Sequence, residues 1–182
     1  MNGFDALVSL FDKPGSLSAE SEPDGLGQAG LIGYAAGAVG FFVFMRLFSA
    51  LPPGNVSFLS VFALILAADM AFTGFMHLFM ELTGVKGSAS RLFLSFGCTN
   101  LLFALLVPLG FLSKLRGGGA FLPFLVCLLG VLYARVALVR RLYPVSFNKA
   151  ALAVWLPYAV FGGAFFLGFT YLMVWSFWVL IW

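Results

Sequence analysis

Charged residues are scarce in this sequence. Only 9% of the 182 residues are Asp, Glu, Lys or Arg, whereas 62% are hydrophobic. A typical water-soluble domain carries about 25% charged residues and about half apolar residues. A chain of this size cannot bury so much apolar surface within itself. The composition therefore excludes an ordinary soluble domain and predicts a protein whose solvent is lipid.

Residues that bind metals or act as catalysts are also scarce. The sequence has two cysteines and one histidine, and Cys98 and Cys127 lie in apolar runs without a CxxC pattern. This placement is typical of small packing residues. The HExxH pattern of zinc proteases and the GxSxG pattern of hydrolases are absent, and no basic cluster interleaved with aromatic residues indicates nucleic-acid binding. The sequence thus predicts no enzyme, no cofactor, no metal site and no nucleic-acid partner.

Long hydrophobic runs are what the sequence does contain. Crossing a bilayer takes about 20 apolar residues in an α-helix, and five runs meet that length: residues 29–50, 57–82, 91–113, 119–141 and 150–174. The linkers between them are short and contain Pro, Gly or small polar residues. Consecutive helices should therefore be antiparallel neighbours. The prediction is an all-α integral membrane protein, with a bundle of five transmembrane helices over residues 29–182.

The two ends of the chain differ from these spans. Residues 1–28 are polar and acidic and lack the pattern of a cleavable signal peptide. Apolar residues at helical spacing before Pro14 predict a short helix at about 4–12, which either lies on the membrane interface or caps the bundle. At the other end, the apolar run continues past the fifth span. We expect residues 175–182 to tilt out of the membrane or to lie along its outer surface.

The distribution of Lys and Arg predicts the orientation. The side of the membrane that holds the N-terminus carries most of them: Lys13, Lys86, Arg91, Arg135, Arg140, Arg141 and Lys149. The opposite side carries Arg46, Lys114 and Arg116. Loops rich in Lys and Arg stay in the cytoplasm. We therefore expect a cytoplasmic N-terminus and an outward C-terminus, in the bacterial cytoplasmic (inner) membrane.

A polar stripe runs along the second span, in "AADMAFTGFMHLFMELTG" (67–84). Asp69, Thr73, His77 and Glu81 follow one another at intervals of four, so they lie on one face of a helix. An ionisable group at the centre of a span costs about 2.5–3.5 kcal/mol even on a lenient scale. We therefore expect Asp69 to face the interior of the bundle, paired or protonated.

The fourth and third spans offer partners for this stripe. Arg135 falls at about the depth of residues 73–77, within reach of His77 or Glu81, or of Asp69 if it stretches. Asn100 is a further amide inside a span that needs a partner. Three interpretations are open: polar contacts that fix the register of the helices, a polar cavity for an ion, proton or lipid headgroup, or a catalytic or metal site. The single histidine excludes a His-rich metal site within one subunit.

Small residues mark a close helix contact in the first span. The stretch "GLIGYAAGAVG" places Gly30, Gly33, Gly37 and Gly40 at intervals of three or four. Such faces let helix backbones approach closely. The glycines predict packing of this span either within the bundle or against a partner.

The order of several segments is similar to that of a known family. The segments are "LFDKPGSL", "DGLGQAGLIGY", "HLFMELTGVKGSASRLFLSFGCTNLLFALLVPL" and "GVLYARVALVRRLYPVSFNKAALAVWLPYAV". Over about residues 5–165 the chain resembles the Yip (Ypt-interacting protein) family, in particular its compact prokaryotic members. The resemblance includes a Gly-x-x-Gly turn before the third span and a loop with Ser146, Lys149 and Ala150 before the fifth.

This resemblance implies five spans and a role in membrane organisation. Eukaryotic members bind Rab-type GTPases and help to shape or traffic membranes, but the DLYGP-type motif and the long N-terminal region of those members are missing here. The expected function is a non-enzymatic scaffold or adaptor that binds membrane lipids, a membrane-protein partner or a second copy of itself. The alternative is a small transporter or lipid-handling protein that uses the stripe of the second span.

Overall fold

A computed structural model describes residues 26–182, and these fold into helices. The elements are α1 (Leu26–Leu47), α2 (Asn55–Leu82), α3 (Ala89–Asn100), a 3₁₀ segment (Leu101–Leu105), α4 (Leu106–Leu115), α5 (Phe121–Leu142) and α6 (Phe147–Ile181). Because α3, the 3₁₀ segment and α4 form one continuous rod, the described chain has five helical rods that are long and apolar enough to cross a membrane. The predicted fold class, an all-α membrane bundle, is confirmed. The helix expected at about 4–12 lies outside the described residues.

Serine and glycine residues set the ends of several helices. Ser88 and Ser146 precede α3 and α6, and each side chain accepts the backbone N–H of the residue three positions on, which satisfies a donor that the first turn leaves unpaired. Gly84 and Gly117 follow α2 and α4 with φ of 80° and 70°. This left-handed conformation favours glycine.

The glycines of α1 pack against the third rod inside the bundle. A Cβ atom added at Gly30 would lie 2.5 Å from the carbonyl oxygen of Leu94, and one at Gly40 would lie 2.6 Å from the Cα of Ala104. Gly33 likewise faces the carbonyl of Gly97. Backbone therefore meets backbone along this contact, which holds α1 against α3 and the 3₁₀ segment.

The third rod changes its winding at its centre. Pro108 lies in the first turn of α4, directly after the 3₁₀ segment. Proline has no N–H to donate, and its ring crowds the carbonyl four residues earlier, which here belongs to Ala104. A tighter 3₁₀ stretch is a common accommodation near a helix terminus. The change of winding begins immediately after Asn100.

Helix α6 is longer than the predicted fifth span of 150–174. Its 35 residues correspond to about 52 Å at 1.5 Å per residue, whereas the hydrocarbon core is about 30 Å thick. The helix continues through residues 175–181 without a break, so these residues extend the predicted fifth span as helix. Every residue from 159 to 182 is exposed. The buried residues of α6 all lie in its first third, at Ala150, Ala153, Val154 and Pro157. Beyond them, the exposed ring of Phe161 still contacts Phe72 and Phe75 of α2.

The main hydrophobic core lies in the half of the bundle that contains the α2–α3 turn. It joins the start of α1, the C-terminal half of α2, helix α3, the C-terminal half of α5 and the start of α6. The predicted polar stripe runs into this core, since Met76 and Met80 of α2 are fully buried beside it.

Candidate intramembrane polar site

A buried ion pair joins α2 to α5 near the middle of the bundle. Arg135 Nη2 lies 2.7 Å from Asp69 Oδ1 and 2.8 Å from Asp69 Oδ2. Arg135 is 2% exposed and Asp69 is 5% exposed. A charge in this environment is stable only when it is paired and hydrogen-bonded. Each of these two residues supplies the partner that the other requires.

Helix α3 completes the surroundings of the ion pair. Asn100 donates from Nδ2 to Asp69 Oδ2 at 2.6 Å and accepts at Oδ1 from Arg135 Nη2 at 2.8 Å. Thr99 Oγ1 lies 3.4 Å from Arg135 Nε. The guanidinium carbon lies 4.5 Å from the centre of the Phe96 ring, a cation–π contact. The amide of Asn100 thus bridges the acid and the base.

The fourth helix of the site is α6. Arg135 Nη1 donates to Tyr158 Oη at 2.6 Å, and the ring of Tyr158 packs on Phe72 of α2 with a centroid distance of 4.6 Å. All three nitrogens of the Arg135 guanidinium therefore donate to side chains of α2, α3 or α6. We call Asp69, Asn100, Arg135 and Tyr158 the four-helix polar cluster.

Two buried hydroxyl groups lie next to this cluster without a hydrogen-bond partner among residues 26–182. They are Thr73 Oγ1 on α2 and Ser95 Oγ on α3. Thr73 is one turn from Asp69, and Ser95 is five residues from Asn100 on the antiparallel neighbour, so the two hydroxyls lie at similar depth. Thr73 also lines a cavity of about 430 Å³ between α2 and α3, whose wall is otherwise apolar except for Ser90.

The remaining residues of the stripe form a separate group nearer the end of α2. His77 Nδ1 lies 3.0 Å from Tyr143 Oη, and His77 Nε2 lies 3.3 Å from Glu81 Oε1. Burial, with a smaller contribution from Glu81, raises the pKa of Tyr143 to about 12. Tyr143 follows the end of α5, so its hydroxyl connects α5 to His77 of α2. The Tyr143 ring also packs against Gly87.

The structure separates the six candidate residues into three sets. Asp69, Asn100 and Arg135 meet, His77 and Glu81 pair with each other, and Thr73 forms no hydrogen bond to a described residue. Of the three partners that were open to Arg135, its side chain reaches Asp69, whereas His77 and Glu81 pair with each other.

Sequence reasoning missed the aromatic members of both groups. Tyr158 and Tyr143 lie outside the stripe, and Phe96 is one of 23 phenylalanines. One feature of the sequence could have identified Tyr158 as a member of the site. It immediately follows Pro157, within the first half of the last apolar run, where a phenol group needs a partner.

The site carries an acid, a base and an amide that already satisfy one another. No group of three or more His, Cys, Asp or Glu residues within 26–182 is arranged to hold a metal ion. Cys98 and Cys127 are buried and unbridged. Comparison of the chain with protein-family models, with curated proteins and with solved structures gave no match in any of the three.

Proposed function

We propose that this multi-pass membrane protein is a non-enzymatic scaffold or adaptor of the Yip type, which binds membrane lipids and other membrane proteins. The observation that carries the proposal is the four-helix polar cluster. Its charged and polar atoms face one another across α2, α3, α5 and α6. A ligand could use them only by breaking bonds that hold the helices together. The cluster acts as a clamp that keeps the bundle in one arrangement.

The loops that resemble those of the Yip family support this proposal in a second way. They meet at one end of the bundle, where Lys149 Nζ donates to the carbonyl of Thr83 at 3.2 Å. Ser146 caps α6, and Ala150 is fully buried. Residues that carry the resemblance therefore stabilise one end of the bundle. This is expected if the chain shares the architecture of the compact Yip members.

A small transporter or lipid-handling protein is the second candidate. The observation in its favour is the pair of buried hydroxyls, Thr73 and Ser95, between the four-helix polar cluster and the His77–Glu81 pair. Neither forms a hydrogen bond to another residue in the described part of the chain. Buried polar groups without partners are rare, and such a pair is typical of a site for water or a polar ligand. In this role Asp69 would be needed for transport and not for folding.

Thermal unfolding of the purified protein in detergent separates the two functions. In the scaffold, Asp69→Asn leaves Arg135 buried without its counter-charge, so the unfolding temperature falls by several degrees or more. Ser176→Ala, on the exposed part of α6, is the control and leaves it unchanged. An Asp69→Asn protein as stable as the wild type, or more stable, would contradict the scaffold and favour the transporter.

We further propose that the N-terminus is cytoplasmic, the C-terminus is outside and the membrane is the bacterial cytoplasmic one. The basic residues near the α2–α3 and α5–α6 turns support this. Labelling with a membrane-impermeant thiol reagent tests it, because both native cysteines are buried. Gly119→Cys should react in intact cells, and Lys86→Cys only after the membrane is permeabilised. The reverse pattern would overturn the orientation.

A further inference from the structure

An apolar groove opens on the surface between α4 and α5. It has a volume of about 400 Å³, within the usual range of small-molecule sites. Its apolar lining consists of Leu109, Leu112, Leu122, Pro123 and Val126. Three of these side chains, Leu112, Leu122 and Val126, are more than half exposed. Since both helices belong to spanning rods, the groove faces the hydrocarbon of the bilayer.

A positively charged side chain lies at the end of this groove. Arg116 follows the last residue of α4 and lines the groove together with Ser113 and Gly118. It forms no ion pair or hydrogen bond with the side chain of any residue within 26–182. Lys114, two residues earlier, does have a partner, because its ammonium donates to the carbonyl of Leu47 at 2.8 Å.

The turn that carries Arg116 is fixed by its own hydrogen bonds. Gly117 adopts φ of 70°, and Gly118 N–H donates to the carbonyl of Ser113 at 2.8 Å. The hydroxyl of Ser113 donates to the carbonyl of Gly119 at 2.9 Å. These bonds hold the start of the Arg116 side chain at the mouth of the groove.

Acidic side chains are absent from this end of the described chain. Within residues 26–182 the only acidic side chains are Asp69, which is buried, and Glu81, which lies near the opposite end. A second copy in the same orientation would therefore bring no described Asp or Glu side chain to Arg116. The membrane itself supplies the complementary anion, a lipid phosphate.

We propose that this groove binds one anionic phospholipid. An acyl chain lies along the Leu and Val side chains, and the phosphate accepts hydrogen bonds from the guanidinium of Arg116, whose planar fork suits phosphate oxygens. The end of a spanning helix is the depth at which lipid headgroups lie. The inference names a lipid partner for the proposed scaffold and in that sense rests on it. The lipid-binding measurement that tests this inference and the thermal-unfolding measurement that tests the scaffold can fail independently of each other.

Native mass spectrometry of the delipidated full-length protein tests the headgroup contact. The probes are phosphatidylglycerol and phosphatidylcholine with the same acyl chains. One basic residue near the surface contributes about fivefold in affinity for an anionic lipid. The wild type should bind one phosphatidylglycerol about fivefold more tightly than phosphatidylcholine, and Arg116→Gln should abolish this difference. Lys114→Gln, which removes the same charge from the same turn outside the groove, should retain it.

A second pair of variants tests the groove itself. Val126→Trp fills the groove and should weaken binding of both lipids, whereas Leu129→Trp lies outside it on the same helix. The two positions are matched, because Val126 is 53% exposed and Leu129 is 51% exposed. If Arg116→Gln and Lys114→Gln reduced the preference for phosphatidylglycerol equally, the proposal would be overturned, because the preference would then come from the general positive charge of this surface. A wild type without headgroup preference, or a dimer that Val126→Trp dissociates, would overturn it as well.

Discussion

Arg135 and Asp69 are 66 residues apart in the sequence, yet the Nη2 atom of one lies 2.7 Å from the Oδ1 atom of the other. This contact forms only when α2 and α5 have the correct depth and rotation relative to each other. Asn100 and Tyr158 impose the same condition on α3 and α6. The cluster thus specifies how the four helices are arranged. Apolar packing alone specifies such an arrangement only weakly in lipid, because lipid tails are as apolar as the side chains.

Tyr158→Phe should destabilise the bundle modestly. The variant removes the acceptor of Arg135 Nη1 and keeps the ring on Phe72, so the expected loss is about 1 kcal/mol in the free energy of unfolding. Reversible unfolding in mixed micelles measures this loss. Tyr171→Phe is the matched control, because Tyr171 is on the exposed part of the same helix, and it should change little. Equal effects at both positions would show that the hydroxyl of Tyr158 contributes nothing through Arg135.

Gly33→Ala should separate α1 from the third rod. The added methyl group meets the backbone carbonyl of Gly97, which cannot turn aside as a side chain could. We expect a loss of roughly 2 kcal/mol or more in the free energy of unfolding. Gly27→Ala in the same helix has open space around its added methyl group and should be neutral or slightly stabilising. A neutral Gly33→Ala would contradict the backbone contact.

Stability should fall in alkaline solution because of Tyr143. Its pKa is about 12 in the folded protein and 10 ordinarily, so the folded state holds the phenol proton more tightly than the unfolded state. This contribution is fully present below pH 10 and is lost as the pH rises from 10 to 12. It amounts to roughly 2–3 kcal/mol. Unfolding measured across this range should show the decline.

Tyr143→Phe provides the control for that decline. The variant loses the hydrogen bond to His77 at every pH, so it starts less stable than the wild type. Between pH 10 and 12 its stability should decrease less steeply, because no phenol titrates at this position. Identical slopes in the two proteins would assign the alkaline loss to other groups.

Periodicity and composition predicted the parts of the structure that depend on local sequence. The five apolar rods follow from run length, and the interior position of Asp69 follows from the cost of a charge in lipid. The glycines of α1 indicated a close contact, although the choice between the bundle and a partner was left open. Asn100 and Arg135 were identified as candidates because each is polar within a span.

The rotation of each helix about its axis, and the contacts between residues far apart in the sequence, could not be predicted in this way. Counting residues placed Arg135 near the depth of His77, but a long side chain reaches about one helical turn, and its direction depends on the neighbours. The partner Tyr158 lies on α6, whose rotation no local pattern encodes, since this helix is apolar on all sides. Pro108 was a usable signal for the 3₁₀ segment. Nothing comparable marks where α6 leaves the bundle.

The most direct test of the clamp is a double-mutant cycle on its ion pair. The free energy of unfolding is measured for the wild type, Asp69→Asn, Arg135→Gln and the double variant. Each single change leaves a buried charge without its partner and should cost about 3–5 kcal/mol. The double variant should be more stable than the sum of the two losses implies, by about 2 kcal/mol or more. Additive losses, or single variants as stable as the wild type, would contradict a polar cluster that holds the four helices together.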